Sequence, residues 1–304
     1  MNTLNPILVA AASALMLGCS TGVATDKFTG APVQINISPA EKSAGAKEGE
    51  NMLPEKFYLT IENSENSLYS YDAVMKNEGG NWVSYDATTG ERIQMVWATG
   101  TNNVQWTAST SGRPFSAPSD ISVATNQSKV DSLRSSDHLY RVGNVIPAET
   151  EGCLNIDFRH MLSKIEITIT LGDGHGAAHN PVTDVRIGGV QTSRSRQDST
   201  FSTLNPFITG FVKALHCGYA AKKSVATYAA ILIPQSVPDD NQVNVFEVMF
   251  KVRDKEYRWS SPDTVKLEPN TRYSLALKAE KGNVVASGLS YAVWADARPV
   301  KTQK

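Results

Sequence analysis

Residues able to do chemistry are few in this chain and scattered along it. His160, in "DFRHMLSK", stands just before a strongly alternating segment. A catalytic imidazole needs a nucleophile or carboxylate converging on it, and the chain carries no Gly-x-Ser-x-Gly or similar signature. His160 therefore reads as structural, satisfied by backbone or a neighbouring side chain. His175 and His179, in "GDGHGAAHNP", lie four apart. On a helix that spacing would turn both toward one metal ion, but the flanking glycines and Pro181 argue for a loop. Asp239 and Asp240 in "PDDNQ" lack the run of oxygen ligands that a calcium loop supplies and read as a hairpin turn. "GGNW" (79–82) is a turn, because no Lys-Ser/Thr follows at the spacing of a phosphate loop. Trp82, Trp97, Trp106, Trp259 and Trp294 are spread over separate segments. A carbohydrate platform would need two of them exposed together, and core or groove lining is the plainer reading. No metal, no cofactor and no catalytic centre are expected.

The elements that must position these residues are short alternating segments, the mark of half-buried strands. "PVQINIS" (32–38) puts Val33, Ile35 and Ile37 on one face. "KFYLTIEN" does the same with Phe57, Leu59 and Ile61. "KIEITITLG" sets Ile165, Ile167, Ile169 and Leu171 against Glu166, Thr168 and Thr170. "NWVSYD", "RIQMVWAT", "NVQWTAS", "DVRIGGV", "TYAAILIPQ", "VNVFEVMFKVRD", "EYRWSS", "RYSLALKAE" and "GLSYAVWADA" continue the pattern, with hairpin connections at "PDDNQ" and "DK". "FITGFVKALHCGYAAKK" is the best helix or long-loop candidate. Residues 38–56 and 192–206 read as exposed loops. The first of these is charged, rich in Gly and Ala and without periodicity, and offers Lys42 and Lys47 to a trypsin-like protease. Dense β-branched strands with Gly, Pro, Asn and Asp punctuation favour antiparallel sandwiches. A boundary falls near residue 160, dividing the chain into 32–160 and 161–304.

The amino end raises a different question. The apolar run Ile7 to Leu17 has about half of the ~20 residues that a membrane-spanning helix needs and the length of a signal-peptide core. It ends at Leu15-Met16-Leu17-Gly18-Cys19, which resembles the lipobox of a bacterial prolipoprotein, with Cys19 the residue to be lipidated. Met16 and Leu17 are bulkier than is usual there, and the first eighteen residues contain no Lys or Arg. An ordinary secretory leader, with Cys19 a free thiol, is the alternative. Residues 1–18 are read as the leader and 19–31 as a polar tether. Acyl chains on Cys19 would add roughly 0.8 kcal/mol of membrane affinity per buried CH₂. The chain of 304 residues has a net charge of −1 and 19% charged residues, which argues against a nucleic-acid binder. Cys153 and Cys217 are the remaining cysteines, and a disulfide between them or two free thiols are both open.

Several segments carry a family resemblance: "DHLYRVGNV" (Asp137 to Tyr140), "FRHMLSK" (Phe158 to Lys164), "IPQ" (Ile233 to Gln235), "NTRY" (Asn270 to Tyr273) and a last strand containing Trp294. In this order they resemble the fimbrillins of Bacteroidales, lipoprotein subunits of pili, over roughly 137–296. The resemblance implies two transthyretin-like antiparallel β-sandwich domains in tandem. It implies export as an outer-membrane lipoprotein of the bacterial cell surface, and partnership with other fimbrial subunits and a host or bacterial surface receptor. It also implies assembly by strand complementation: a protease removes the first strand, and a neighbouring subunit refills the groove. "PVQINIS" would be that first strand, its Val33/Ile35/Ile37 stripe filling the groove. No arginine occurs before Arg92, so an arginine-specific protease would find no site in the loop that follows. A non-enzymatic fimbrial subunit or fimbrium-associated lipoprotein supporting adhesion is the leading expectation. A surface glycan-binding lipoprotein is the alternative.

Overall fold

The structure, a computed structural model, describes residues 30–38, 54–98, 103–112, 119–172, 178–197, 200–201, 209–238, 244–280, 282–294 and 301–302. Its strands before residue 161 are β1 (Gln34–Ser38), β2 (Lys56–Glu62), β3 (Tyr71–Glu78), β4 (Asn81–Asp86), β5 (Val104–Ser109), β6 (Ser119–Ser122), β7 (Leu139–Val145), β8 (Cys153–Asp157) and β9 (Arg159–His160). After it come β10 (Ser163–Leu171), β11 (Val182–Val190), β12 (Ser193–Gln197), β13 (Thr200–Phe201), β14 (Gly210–Lys213), β15 (Leu215–Ala220) and β16 (Val225–Leu232). The series closes with β17 (Gln235–Val237), β18 (Glu247–Val252), β19 (Lys255–Ser260), β20 (Val265–Leu267), β21 (Thr271–Glu280), β22 (Asn283–Val293) and β23 (Lys301–Thr302). One α-helix, α1 (Val130–Ser135), occurs among the described residues. The all-β class expected from the alternation is what the chain adopts. No helix among the described residues is long and apolar enough to cross a membrane.

The period of two sorts side chains into two hydrophobic cores. The first lies under a six-stranded sheet in the order β4-β3-β2-β5-β7-β9. Phe57, Leu59 and Ile61 of β2 face it and are fully buried, joined by Met75, Trp97, Trp106, Leu154, Ile156 and Phe158. The β3–β4 hairpin closes through Gly79 and Gly80, at φ 63° and 92°. Positive φ at both central residues is what a two-residue type I′ turn demands, and glycine meets it without strain. The opposing layer is smaller: residues 30–33 and 95–97, β1 and β8.

The second core lies between a six-stranded sheet, β15-β16-β10-β21-β22-β23, and a four-stranded one, β14-β11-β18-β19. Ile165, Ile167 and Ile169 of β10 sit at its centre with 0% exposure, against Ile187, Val248 and Phe250. Most ladders are antiparallel, but β1 runs parallel to β8 and β10 parallel to β21. Ile121 and Val123, with Leu133 of α1, pack on this second core although they precede residue 160. β6 is held there by antiparallel pairing with β12.

Four local expectations need correction. The segment "RIQMVWAT" forms no strand among its described residues, only isolated bridges from Arg92 to Tyr85 and from Val96 to Pro32. The helix candidate at 207–223 contains β14, β15 and a 3₁₀ turn, Ala221–Lys223. Its pairing with β11 and β16 outweighs the weak helix preference of Ala and Leu there. The supposed loop 192–206 contains β12 and β13, made regular by β6, a partner distant in sequence. The β18–β19 turn is Arg253–Asp254, not "DK": Val252 pairs with Lys255 and Arg253 takes φ 55°.

Candidate functional site: the first strand and its slot

β1 is uncharged and alternates. Gln34, Asn36 and Ser38 face solvent, while Val33, Ile35 and Ile37 are half-buried and pack on the first core. The backbone of this stretch is bonded on two sides. Val33 N–H donates to Met95 C=O at 2.9 Å and Trp97 N–H to Ala31 C=O at 2.9 Å. On the other side Gln34 N–H donates to Gly152 C=O at 3.1 Å, and the parallel ladder runs from Gln34–Cys153 to Ser38–Asp157. Trp97 Nε1 also donates to Gly152 C=O, at 2.9 Å, so both flanks share one anchor. Ile35 stands opposite Leu154 and Ile37 opposite Ile156, both fully buried. Residues 30–33 thus join 95–97 and β1 joins β8, with the Val33/Ile35/Ile37 stripe turned to the first core. Half-burial of its three aliphatic side chains contributes roughly 1 kcal/mol each.

The other candidates are dispersed. Cys19, Lys42 and Lys47, with His175, Asp239 and Asp240, lie outside the described residues. His179 is exposed. No group of three or more His, Cys, Asp or Glu suited to a metal ion occurs among the described residues. Cys217 forms no disulfide and its thiol donates to Leu215 C=O at 3.6 Å, so it does not pair with Cys153. Trp97, Trp106 and Trp294 are buried. Trp82 meets Phe57 edge-on at 4.9 Å, and Trp259 packs on the second core. The five tryptophans therefore offer no shared exposed platform.

A family model described as fimbrillin-like matches residues 30–294. The chain belongs to the fimbrillin-like family. No curated protein matches the sequence. Among solved structures, a candidate cell adhesion protein from Bacteroides uniformis is 15% identical, with 86% of this chain and 98% of that one covered and a TM-score of 0.57. Another from Bacteroides ovatus is 17% identical, covering 86% and 97%, at a TM-score of 0.60. The tip fimbrial protein Mfa3 of Porphyromonas gingivalis, truncated at its C-terminus, is 8% identical over 79% and 94%, at 0.48.

In this fimbrillin-like chain the segments that carry the resemblance meet at two places. At the first, His160 Nδ1 bonds Asp137 Oδ1 at 2.7 Å and its ring stacks on Trp294 at 3.7 Å, 7° from parallel. Asn270 ties the same residues together. Its side-chain oxygen accepts from His160 N–H at 3.3 Å, and its backbone bonds Leu162 C=O at 3.0 Å and Trp294 N–H at 2.8 Å. The His, the Asp, the Asn and the late Trp therefore staple β9, at the edge of the first sheet, to the ends of β21 and β22 in the second core. At the other place, Gln235 accepts from Gln191 N–H at 2.9 Å and donates to Gln191 C=O at 3.2 Å, linking the chain after β16 to the end of β11. Tyr273 donates to Lys266 C=O at 2.6 Å and accepts from Glu268 N–H at 2.9 Å. Burial pushes its phenol up to about 12. Gln127, fully buried, bonds both N–H and C=O of Ile231 at 2.8 Å, like a missing strand. Sequence reasoning missed it, because a lone Gln before a helix carries no periodic signal.

Proposed function

We propose that this protein is a non-enzymatic fimbrial subunit, or a fimbrium-associated lipoprotein, that assembles on the cell surface by strand complementation and supports adhesion. Membership of the fimbrillin-like family supports the fimbrial part of this reading. The observation that carries the mechanism is the stretch 30–38, uncharged and alternating, which bonds 95–97 through residues 30–33 and β8 through β1. Cutting the chain after it, at Lys42 or Lys47, would detach the plug and leave the facing strand β8 with unpaired N–H and C=O groups. Such an edge is satisfied by an extended segment of another copy, which supplies the hydrogen bonds and an alternating apolar stripe. Cys19 is the proposed lipid anchor to the outer membrane, with other fimbrial subunits and a surface receptor as partners. The two cores are the proposed domains, with residues 119–136 assigned to the second.

Mild trypsin on the purified protein tests this reading. First cleavage should fall between Lys42 and Lys56 and be followed by an SDS-resistant ladder of multimers. First cleavage within 160–290, or a cut chain that stays monomeric, would reject assembly through β1. Changing Cys19→Ser should release the protein from membranes, and continued membrane association would reject the lipid anchor.

A further inference from the structure

The first sandwich has a second place where a foreign strand could enter. β9 covers only Leu139 and Tyr140 of β7, so among the described residues no strand runs along the outer side of 141–145. Val142 is 44% exposed, and Asn144 beside it is exposed as well. His138 C=O, two positions before Tyr140, accepts from Met161 N–H on the β9 side, whereas Leu139 faces β5 through Thr110. By the alternation of a strand, the N–H and C=O groups of Val142 and Asn144 then point outward. An edge of this kind is a template for pairing with another chain.

Arg141 stands at the mouth of that edge. Its cross-strand partner, Ala108, is a fully buried core residue, and residues directly opposite in a ladder share a face. Position 141 thus points into the gap between the two layers, where an apolar residue belongs. Its Nε instead bonds Asp157 Oδ1 of β8 at 3.0 Å, with 27% of the Arg141 side chain exposed. One step along the same face, the Trp106 ring fills the space over Gly143. A Cβ there would stand 2.7 Å from Trp106 Cζ2. The flank between β7 and β8 is therefore sealed by side chains rather than by a strand.

We infer that Arg141, held by Asp157, is a specificity residue that keeps copies of this chain from pairing through the 141–145 edge. Pairing between copies is thereby confined to the β1 slot. A strand laid on this edge would have to strip water from the partly exposed Arg141–Asp157 pair, 27% and 59% exposed, and set a charged side chain where an apolar stripe would pack. The consequence for assembly rests on the strand-complementation reading. The guarding of the edge does not, and it is measured on uncut protein in which β1 is in place.

The test is sedimentation velocity of the uncut full chain over a concentration series. Wild type should sediment as a monomer, and Arg141→Val should self-associate at least tenfold more tightly. Adding Val142→Pro should restore the monomer, since proline at an outward-facing N–H is tolerated on an edge strand and blocks pairing. A folded Arg141→Val protein that stays monomeric would overturn the inference, as would association that Val142→Pro leaves intact. If Arg141→Val fails to fold, amide exchange on the wild type decides. Fast exchange at Val142 and Asn144 supports an open, guarded edge, and protection there overturns it.

Discussion

β1 and β10 carry the same alternation of branched aliphatic residues and end in opposite circumstances. β10 has a ladder partner on each side, β16 and β21, and its isoleucines are wholly buried. β1 has one regular ladder, to β8, while only the residues just before it, 30–33, bond 95–97, and its stripe is only half-buried. The lesson is that a period of two fixes which face turns inward but not how deeply the strand is committed. Commitment comes from partners on both edges and from cover above. The second core is built around a strand paired along both edges. The first is closed by one with a single regular ladder.

Putting a charge on each strand should separate the two most widely. Ile167→Asp buries an unpaired carboxylate at the centre of the second core and should cost more than about 4 kcal/mol, enough to prevent folding. Ile35→Asp sits on the half-buried strand and should cost roughly 1–3 kcal/mol, leaving a folded chain that loses β1 more readily. Denaturant unfolding measures both. Equal losses would erase the distinction between the strands.

The staple between the halves gives the next effect. His160→Ala removes the bond to Asp137 and the stacking on Trp294, and should cost about 2 kcal/mol. Calorimetry should then show the cores unfolding in two separate transitions. A single cooperative transition of unchanged enthalpy would mean that the halves are coupled elsewhere.

The smallest effect is confined to the second core. Tyr273 has its phenol raised to about 12, against a free value of about 10. The folded state therefore holds that proton more tightly than the unfolded chain. This contribution is complete below pH 10 and is lost as pH rises from 10 to 12. Burial also pushes Tyr228 up, so it loses stability in the same direction. Tyr273→Phe leaves Lys266 C=O and Glu268 N–H without their partner at a cost of roughly 1–3 kcal/mol. It should also flatten part of the alkaline decline, measured by urea titration at pH 9 and pH 11. An unchanged slope would assign the decline to other groups.

Much of this was legible in the chain itself. The faces of β1, β2 and β10 follow from strict alternation, and a turn at Gly79–Gly80 was expected, though Asn81 and Trp82 already belong to β4. The segments around Asp137, His160, Asn270 and Trp294 were recognisable by type and order, but not as neighbours in space. Asp137 and His160 are 23 residues apart, but bringing Asn270 to His160 spans 110. The parallel register of β1 on β8 was hidden for the same reason. β14 and β15 escaped because Ala, Leu and Lys favour a helix until a neighbouring strand claims them. Arg141 gave no signal at all, since only the shortness of β9 makes an arginine at that place meaningful.

The exchangeability of β1 is tested most directly by refilling its slot. Chain cut by trypsin after β1 is mixed with excess synthetic peptide of residues 31–38, APVQINIS, and the growth of multimers is followed on SDS gels. The peptide should bind one per chain and stop growth. Multimers forming at an undiminished rate, or a cut chain that keeps its own β1 and stays single, would contradict the account.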